Sequence, residues 1–136
     1  MTTLDVKFLK VPKIPEARGN LSFFQNLDQI PFEMKRVYWI NAIRGEEYEN
    51  GHANKETNEL IIALSGSFEV MVFDGNEERL FKLNRPDICL SIPNMIWRKL
   101  FNFSTNSVAL IVADQVYSED DRIMDFFEFK KGIQYA

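Results

Sequence analysis

Short apolar runs divided by turn residues recur along most of the chain. Residues 4–11 alternate around Val6 and Phe8 until Pro12 and Pro15 interrupt them. Proline removes a ladder donor, so this reads as an edge strand leading into a rigid turn. Arg18-Gly19-Asn20 forms that turn, residues 21–24 resume an extended pattern, and Asn26-Leu27-Asp28 breaks it again. Residues 34–40 have the β-branched and aromatic richness of a strand. Residues 43–58 are polar and carry Gly45 and Gly51, which predicts a loop that delivers His52 near its far end. A ladder of short runs follows at 60–64, 68–73, 80–83, 88–92, 95–101 and 108–113. Asp74-Gly75 between two of them is a hairpin signal, because glycine tolerates the positive φ such a turn requires. Turn signals at intervals of about 8 to 12 residues predict an all-β sandwich or barrel rather than alternating βα units. Only the tail changes period: Ser118 stands as a helix cap with Asp121 three residues on, and Ile123, Phe126 and Phe127 keep helical spacing.

Composition narrows the class without changing the fold. At 136 residues the chain is one domain, 1–136, with a single core. The net charge of −4 and the dispersed basic residues lack the electrostatic footprint of a nucleic-acid binder. Cys89 is alone between Ile88 and Leu90, so no disulfide framework or thiolate zinc site is expected and a buried thiol is. No apolar run approaches the roughly 20 residues of a membrane helix, and the N-terminus lacks a signal-peptide pattern. The expectation is a soluble cytoplasmic protein that engages no nucleic acid and no membrane. The phenylalanines at 23, 24, 126, 127 and 129 are assigned to core or to a dimer interface.

His52 is the single histidine, and imidazole is the side chain that titrates unperturbed near neutral pH. Placed just before the strand at 60–64, it would stand at the mouth of a jelly roll, where small ligands enter. That is the geometry of a cupin, whose first motif has the form G-x-H-x-H with a later Glu. Here Gly51-His52-Ala53-Asn54 with Glu59 resembles it, with Asn54 in place of the second histidine and Arg98 where a further ligand is expected. One imidazole, one carboxylate and an arginine do not make a three- or four-ligand site, so neither metal nor cofactor is expected.

The chain resembles the WxcM-like sugar-nucleotide ketoisomerases over nearly its whole length. The likeness rests on Ala17-Arg18-Gly19-Asn20-Leu21, Ile30-Pro31-Phe32, Lys35-Arg36-Val37-Tyr38, His52-Ala53-Asn54-Lys55, Leu64-x-Gly66-Ser67, Trp97, Tyr117-Ser118-Glu119-Asp120-Asp121 and Phe129-Lys130-Lys131. The resemblance implies a metal-free cupin, a double-stranded β-helix with a short C-terminal helix, which forms homodimers by exchanging an N-terminal strand. It implies conversion of a dTDP-4-keto-6-deoxyhexose to its 3-keto isomer through an enediolate, on the way to amino sugars of surface polysaccharides. It makes His52 the proton carrier and Tyr38 a support for it or for the enediolate. Arg18 would bind pyrophosphate, Asn54 would orient the sugar or donate to the oxyanion, Trp97 and Phe101 would line the pocket or stack on thymine, and Arg98 would meet phosphate or Glu59. Each has a plainer alternative: a surface arginine for Arg18, core packing for Tyr38 and Trp97, a hydrogen-bonded loop histidine for His52. Two other activities stand beside the isomerase: a catalytically silent cupin that binds a nucleotide sugar, and an epimerase on a related sugar.

Overall fold

A computed structural model describes residues 1–25, 30–41, 43 and 50–135. Two antiparallel sheets face each other. The larger is built from β1 (Lys7–Lys10), β4 (Arg36–Ile40), β6 (Glu59–Ser65), β9 (Ile88–Ile92) and β11 (Val108–Ala113), in the spatial order β1-β9-β6-β11-β4. The smaller is β10-β7-β8, from β7 (Phe68–Phe73), β8 (Glu78–Leu83) and β10 (Trp97–Phe101). Period-2 alternation aims Ile61, Ala63, Leu90, Ile92, Ala109 and Ile111 from one sheet at Phe68, Val70, Val72, Leu83 and Leu100 from the other, which makes the core. The all-β cupin-type jelly roll expected from the sequence is therefore the fold, with a short helix at its C-terminal end.

Each sheet also has the middle of its outer face covered, which explains why β6 is buried through residues 59–63 instead of alternating. Leu60, Ile62, Cys89 and Val112 point outward under Val11, Ile30, Phe24, Phe32 and Met34. On the smaller sheet, Met71, Phe73 and Trp97 lie beneath the helix α1 (Phe126–Tyr135) through Phe126 and Phe129. Burial pushes the Cys89 thiol up to about 11, which leaves it a small hydrophobe.

Several boundaries differ from the sequence reading. The first expected strand, residues 4–11, divides into a 3-10 turn at Thr3–Asp5 and the edge strand β1. Pro15 does not break its segment: β2 (Lys13–Glu16) and β3 (Gly19–Ser22) form an exposed hairpin about Ala17 and Arg18. A two-stranded ribbon leaves a proline's missing donor on its free side. The tail helix starts at Phe126, not near Ser118, whose side chain makes no cap bond. Asp125 caps it, accepting from the backbone N–H of Phe127 at 2.8 Å and of Glu128 at 3.3 Å. The turn at Asn26-Leu27-Asp28 and residues 44–49 of the loop at 43–58, Gly45 included, lie outside the described residues.

Candidate active site

The site grows from one short strand held on both sides. Across β5 (Ala53–Asn54) runs β12 (Arg122–Ile123), with Arg122 opposite Asn54 and Ile123 opposite Ala53. On the other side His52 and Arg98 exchange backbone hydrogen bonds of 3.0 and 2.9 Å. Gly51 lets the chain enter this slot. Its φ is +96°, and a Cβ there would lie 2.7 Å from the Arg98 carbonyl oxygen and 2.8 Å from Trp97 Nε1. Asp121 closes the other end: its carbonyl accepts from Lys55 N–H at 2.7 Å, its carboxylate accepts from Glu56 N–H at 2.7 Å, and the Thr57 hydroxyl donates to the same carboxylate.

Alternation then decides which side chains meet. His52 and Asn54 share one face of the segment and line a cleft of about 340 Å³, while Ala53 between them packs with Trp97 and Phe129. On β4, Arg36 and Tyr38 line the same cleft, joined by Arg98, Tyr117, Arg122 and Met124. No Asp or Glu is among the described lining residues, so three guanidiniums face a cleft in a protein of net charge −4. A multiply charged anion is the ligand such a field concentrates.

Behind the cleft lies a buried ionic network. Arg98 Nε donates to Glu59 Oε1 at 2.9 Å and Nη2 donates to Oε2 at 3.1 Å and to the Tyr38 hydroxyl oxygen at 3.0 Å. The Tyr38 hydroxyl in turn donates to Glu59 Oε2 at 2.7 Å. Burial raises the Glu59 carboxyl, but the guanidinium of Arg98 and its hydrogen bonds outweigh that and hold the pKa at about 2. Burial pushes the Tyr38 phenol far above its ordinary value despite Arg98 and Arg36, so it stays a protonated donor. Glu59, named in the sequence as the motif carboxylate and as one of two candidate partners of Arg98, is thus the counter-charge of Arg98. Among the described residues no three of His, Cys, Asp and Glu gather closely enough to hold a metal ion.

The sequence-named residues separate into two groups. His52, Asn54, Tyr38 and Arg98 come together at the cleft. Trp97 does not: one position from Arg98, it points to the other side of the smaller sheet, with ring centroids 5.0 Å from Phe126 and 5.7 Å from Phe129. Arg18 sits in the turn of the exposed hairpin and is not among the cleft's lining residues. Two further arginines went unnamed as site residues. Arg36 lies over the rings of Tyr38 at 5.2 Å and Tyr117 at 5.5 Å, and its Nε is buried with no hydrogen-bond partner. Its signal was present in the sequence, two positions before Tyr38 on one strand face. Arg122 brings Nη2 to within 3.2 Å of His52 Nδ1. Only the pairing of β12 with β5 places it there, and no local pattern announces that.

This fold and site define a cupin-type sandwich with a single imidazole beside an arginine-lined cleft. The chain belongs to the family described as FdtA: WxcM-like, C-terminal, which matches residues 4–134. It is 33% identical over 130 residues to a TDP-4-oxo-6-deoxy-alpha-D-glucose-3,4-oxoisomerase of Aneurinibacillus thermoaerophilus, covering 96% of this chain and 94% of that protein. A crystal structure of a 3,4-ketoisomerase from Helicobacter canadensis superposes with a TM-score of 0.90 at 36% identity, over 96% of this chain and 98% of that one. QdtA, a sugar 3,4-ketoisomerase from Thermoanaerobacterium thermosaccharolyticum in complex with TDP, matches with the same TM-score at 29% identity, over 96% and 95% of the two chains. A histidine-to-asparagine variant of QdtA was solved with TDP-4-keto-6-deoxyglucose.

Proposed function

We propose that the protein is a 3,4-ketoisomerase of dTDP-4-keto-6-deoxyhexoses, acting by proton transfer in deoxyamino-sugar synthesis for surface polysaccharide. The observation that carries this is the pairing of one imidazole with three arginines in one cleft, in a chain whose relatives bear that activity in their names. Arg36, which forms no ion pair among the described residues, suits the diphosphate, because a planar fork matches phosphate oxygens. His52 takes the proton from C3 of the 4-keto sugar. The electron pair of the broken C–H bond moves into a C3–C4 double bond and the C4 oxygen carries the negative charge. Loss of the C3 hydroxyl proton, delivery of a proton to C4 and protonation of the C4 oxygen then leave the carbonyl at C3. Asn54, on the same strand face as His52, supplies an amide donor to the developing oxyanion, and the cationic Arg98 beneath it stabilises that charge. Tyr38 acts by fixing Arg98 and Glu59. Trp97 supports β10 from the far side rather than stacking on the base.

The working form is inferred to be a cytoplasmic homodimer. No helix among the described residues is long and apolar enough to cross a membrane. The hairpin of β2 and β3 projects Ile14 and Leu21 into solvent, and among the described strands β4 is a sheet edge that bears the exposed Val37 and Trp39. Edges and apolar surfaces of this kind accept a strand from a second copy, and Arg18 in the hairpin turn would approach the partner's cleft by that route.

Incubation with TDP-4-keto-6-deoxyglucose in heavy water tests the activity. Deuterium is expected at C3 or C4 of the sugar, and His52→Asn is expected to lower turnover by about 10²-fold or more. If the wild-type chain binds TDP yet exchanges no proton, the nucleotide-sugar-binding alternative replaces the enzyme.

A further inference from the structure

We propose, resting on the ketoisomerase reading, that Arg122 is a removable cap on the proton carrier and that the diphosphate of the sugar nucleotide draws it away. A guanidinium has donors only, so the contact of 3.2 Å makes His52 Nδ1 the acceptor and places the proton of the neutral ring on Nε2. Abstraction of a proton from carbon needs a nitrogen lone pair directed at it. Either ring nitrogen becomes a base only after Arg122 has moved: Nδ1 by release of its lone pair, Nε2 by passing its proton to Nδ1. Arg122 thus sets a positive charge directly against the ring, opposite in sign to the Glu59 carboxylate behind the cleft.

The surroundings select both the part that moves and the ligand that moves it. The backbone of Arg122 is fixed by pairing with β5 and by the Asp121 clamp, so the motion is one of the side chain. Among the described residues, the charged and titratable groups around His52 are Glu59 on β6, Arg36 and Tyr38 on β4, Arg98 on β10, and Tyr117 with Arg122 from the tail segment. Arg98 is tied to the buried Glu59 carboxylate by two hydrogen bonds; Arg122 is half-buried, borders the cleft and carries the fork that reaches His52. A diphosphate seated by Arg36 in that cleft competes for the Arg122 fork with a stronger acceptor than an imidazole nitrogen. Binding energy from the nucleotide end is thereby used at the reacting carbon, and the base is uncovered only when the whole substrate is seated.

The lone histidine makes the test direct, because a ¹⁵N spectrum of the imidazole has a single source. With wild-type protein the neutral form of the ring is expected to carry its proton on Nε2, and TDP should raise the titration midpoint of His52 by on the order of one pH unit. In Arg122→Gln the midpoint should start higher and TDP should move it less, while Arg122→Lys, a charge without a fork, should fall between. The field of the diphosphate acts in every variant, so the difference between the TDP-induced shifts is the quantity read. Equal midpoints and equal shifts in wild type and Arg122→Gln would overturn the cap while leaving the isomerase intact. If Arg122→Gln does not fold, a midpoint and TDP shift in Arg122→Lys identical to wild type overturn it instead. Failure of the wild-type chain to isomerise TDP-4-keto-6-deoxyglucose sinks the functional reading itself.

Discussion

At the scale of single residues, Glu59 and Arg98 carry the largest electrostatic stakes. Both are fully buried, and a buried ion pair adds little net stability while its rupture is costly, because the survivor is left charged and unsolvated. Glu59→Gln should therefore cost about 3–5 kcal/mol. Tyr38→Phe, which removes one hydroxyl from the network, should cost nearer 1–3 kcal/mol. Denaturant titration at pH 7 measures both. The pH dependence has a definite sign. The folded pKa of Glu59 lies below its unfolded value, so its contribution is complete above about pH 4.5 and is lost as pH falls toward about 2. Unfolding free energies from pH 6 to pH 2 should fall more steeply in wild type than in Glu59→Gln. The sequence offered both residues by name and left the partner of Arg98 open between phosphate and Glu59. Strand parity and burial bring Arg98 onto Glu59, since both project into the interior at the same end of the sandwich.

At the scale of elements, residues 119–123 matter more than their length suggests. Their sequence resembles a helix start, yet the Asp121 carboxylate goes to the Glu56 N–H and the Thr57 hydroxyl across the sheet. A tertiary bond to a buried threonine outcompetes a local cap. The true cap is legible as Asp125-Phe126-Phe127-Glu128, an acidic residue with Glu three positions on before the apolar turn. Asp121→Ala should loosen both β12 and β5, with a stability cost of about 1–3 kcal/mol from the unsatisfied buried groups. It should lower kcat more than it raises KM, because His52 and Arg122 lose register while Arg36 does not. Steady-state kinetics with a thermal melt as control separates the two effects.

At the scale of the whole molecule, the acidic surface and the basic cleft give the protein opposite signs inside and out. The exposed hairpin of β2 and β3 is the part a single copy does not use for its own core. Leu21→Asp and Ile14→Asp should shift a dimer toward monomer in light scattering while far-UV dichroism stays unchanged, since both side chains are about half exposed in the single chain (47% and 49%). A monomeric wild-type protein at micromolar concentration would remove the dimer from the proposal.

Period and punctuation in the sequence were enough for the all-β class, the run of strands from residue 60 to residue 113 and a helical tail, because short apolar runs between turn residues have few other folded solutions. The rarity of imidazole likewise made His52 conspicuous before any fold was known. Tertiary structure alone decided what His52 faces. The placement of Arg122 depends on two-residue strands too short to carry a pattern, and the removal of Trp97 from the cleft depends on which sheet face Arg98 takes. Those are properties of strand pairing between distant segments, and a residue's own neighbours in sequence do not encode them.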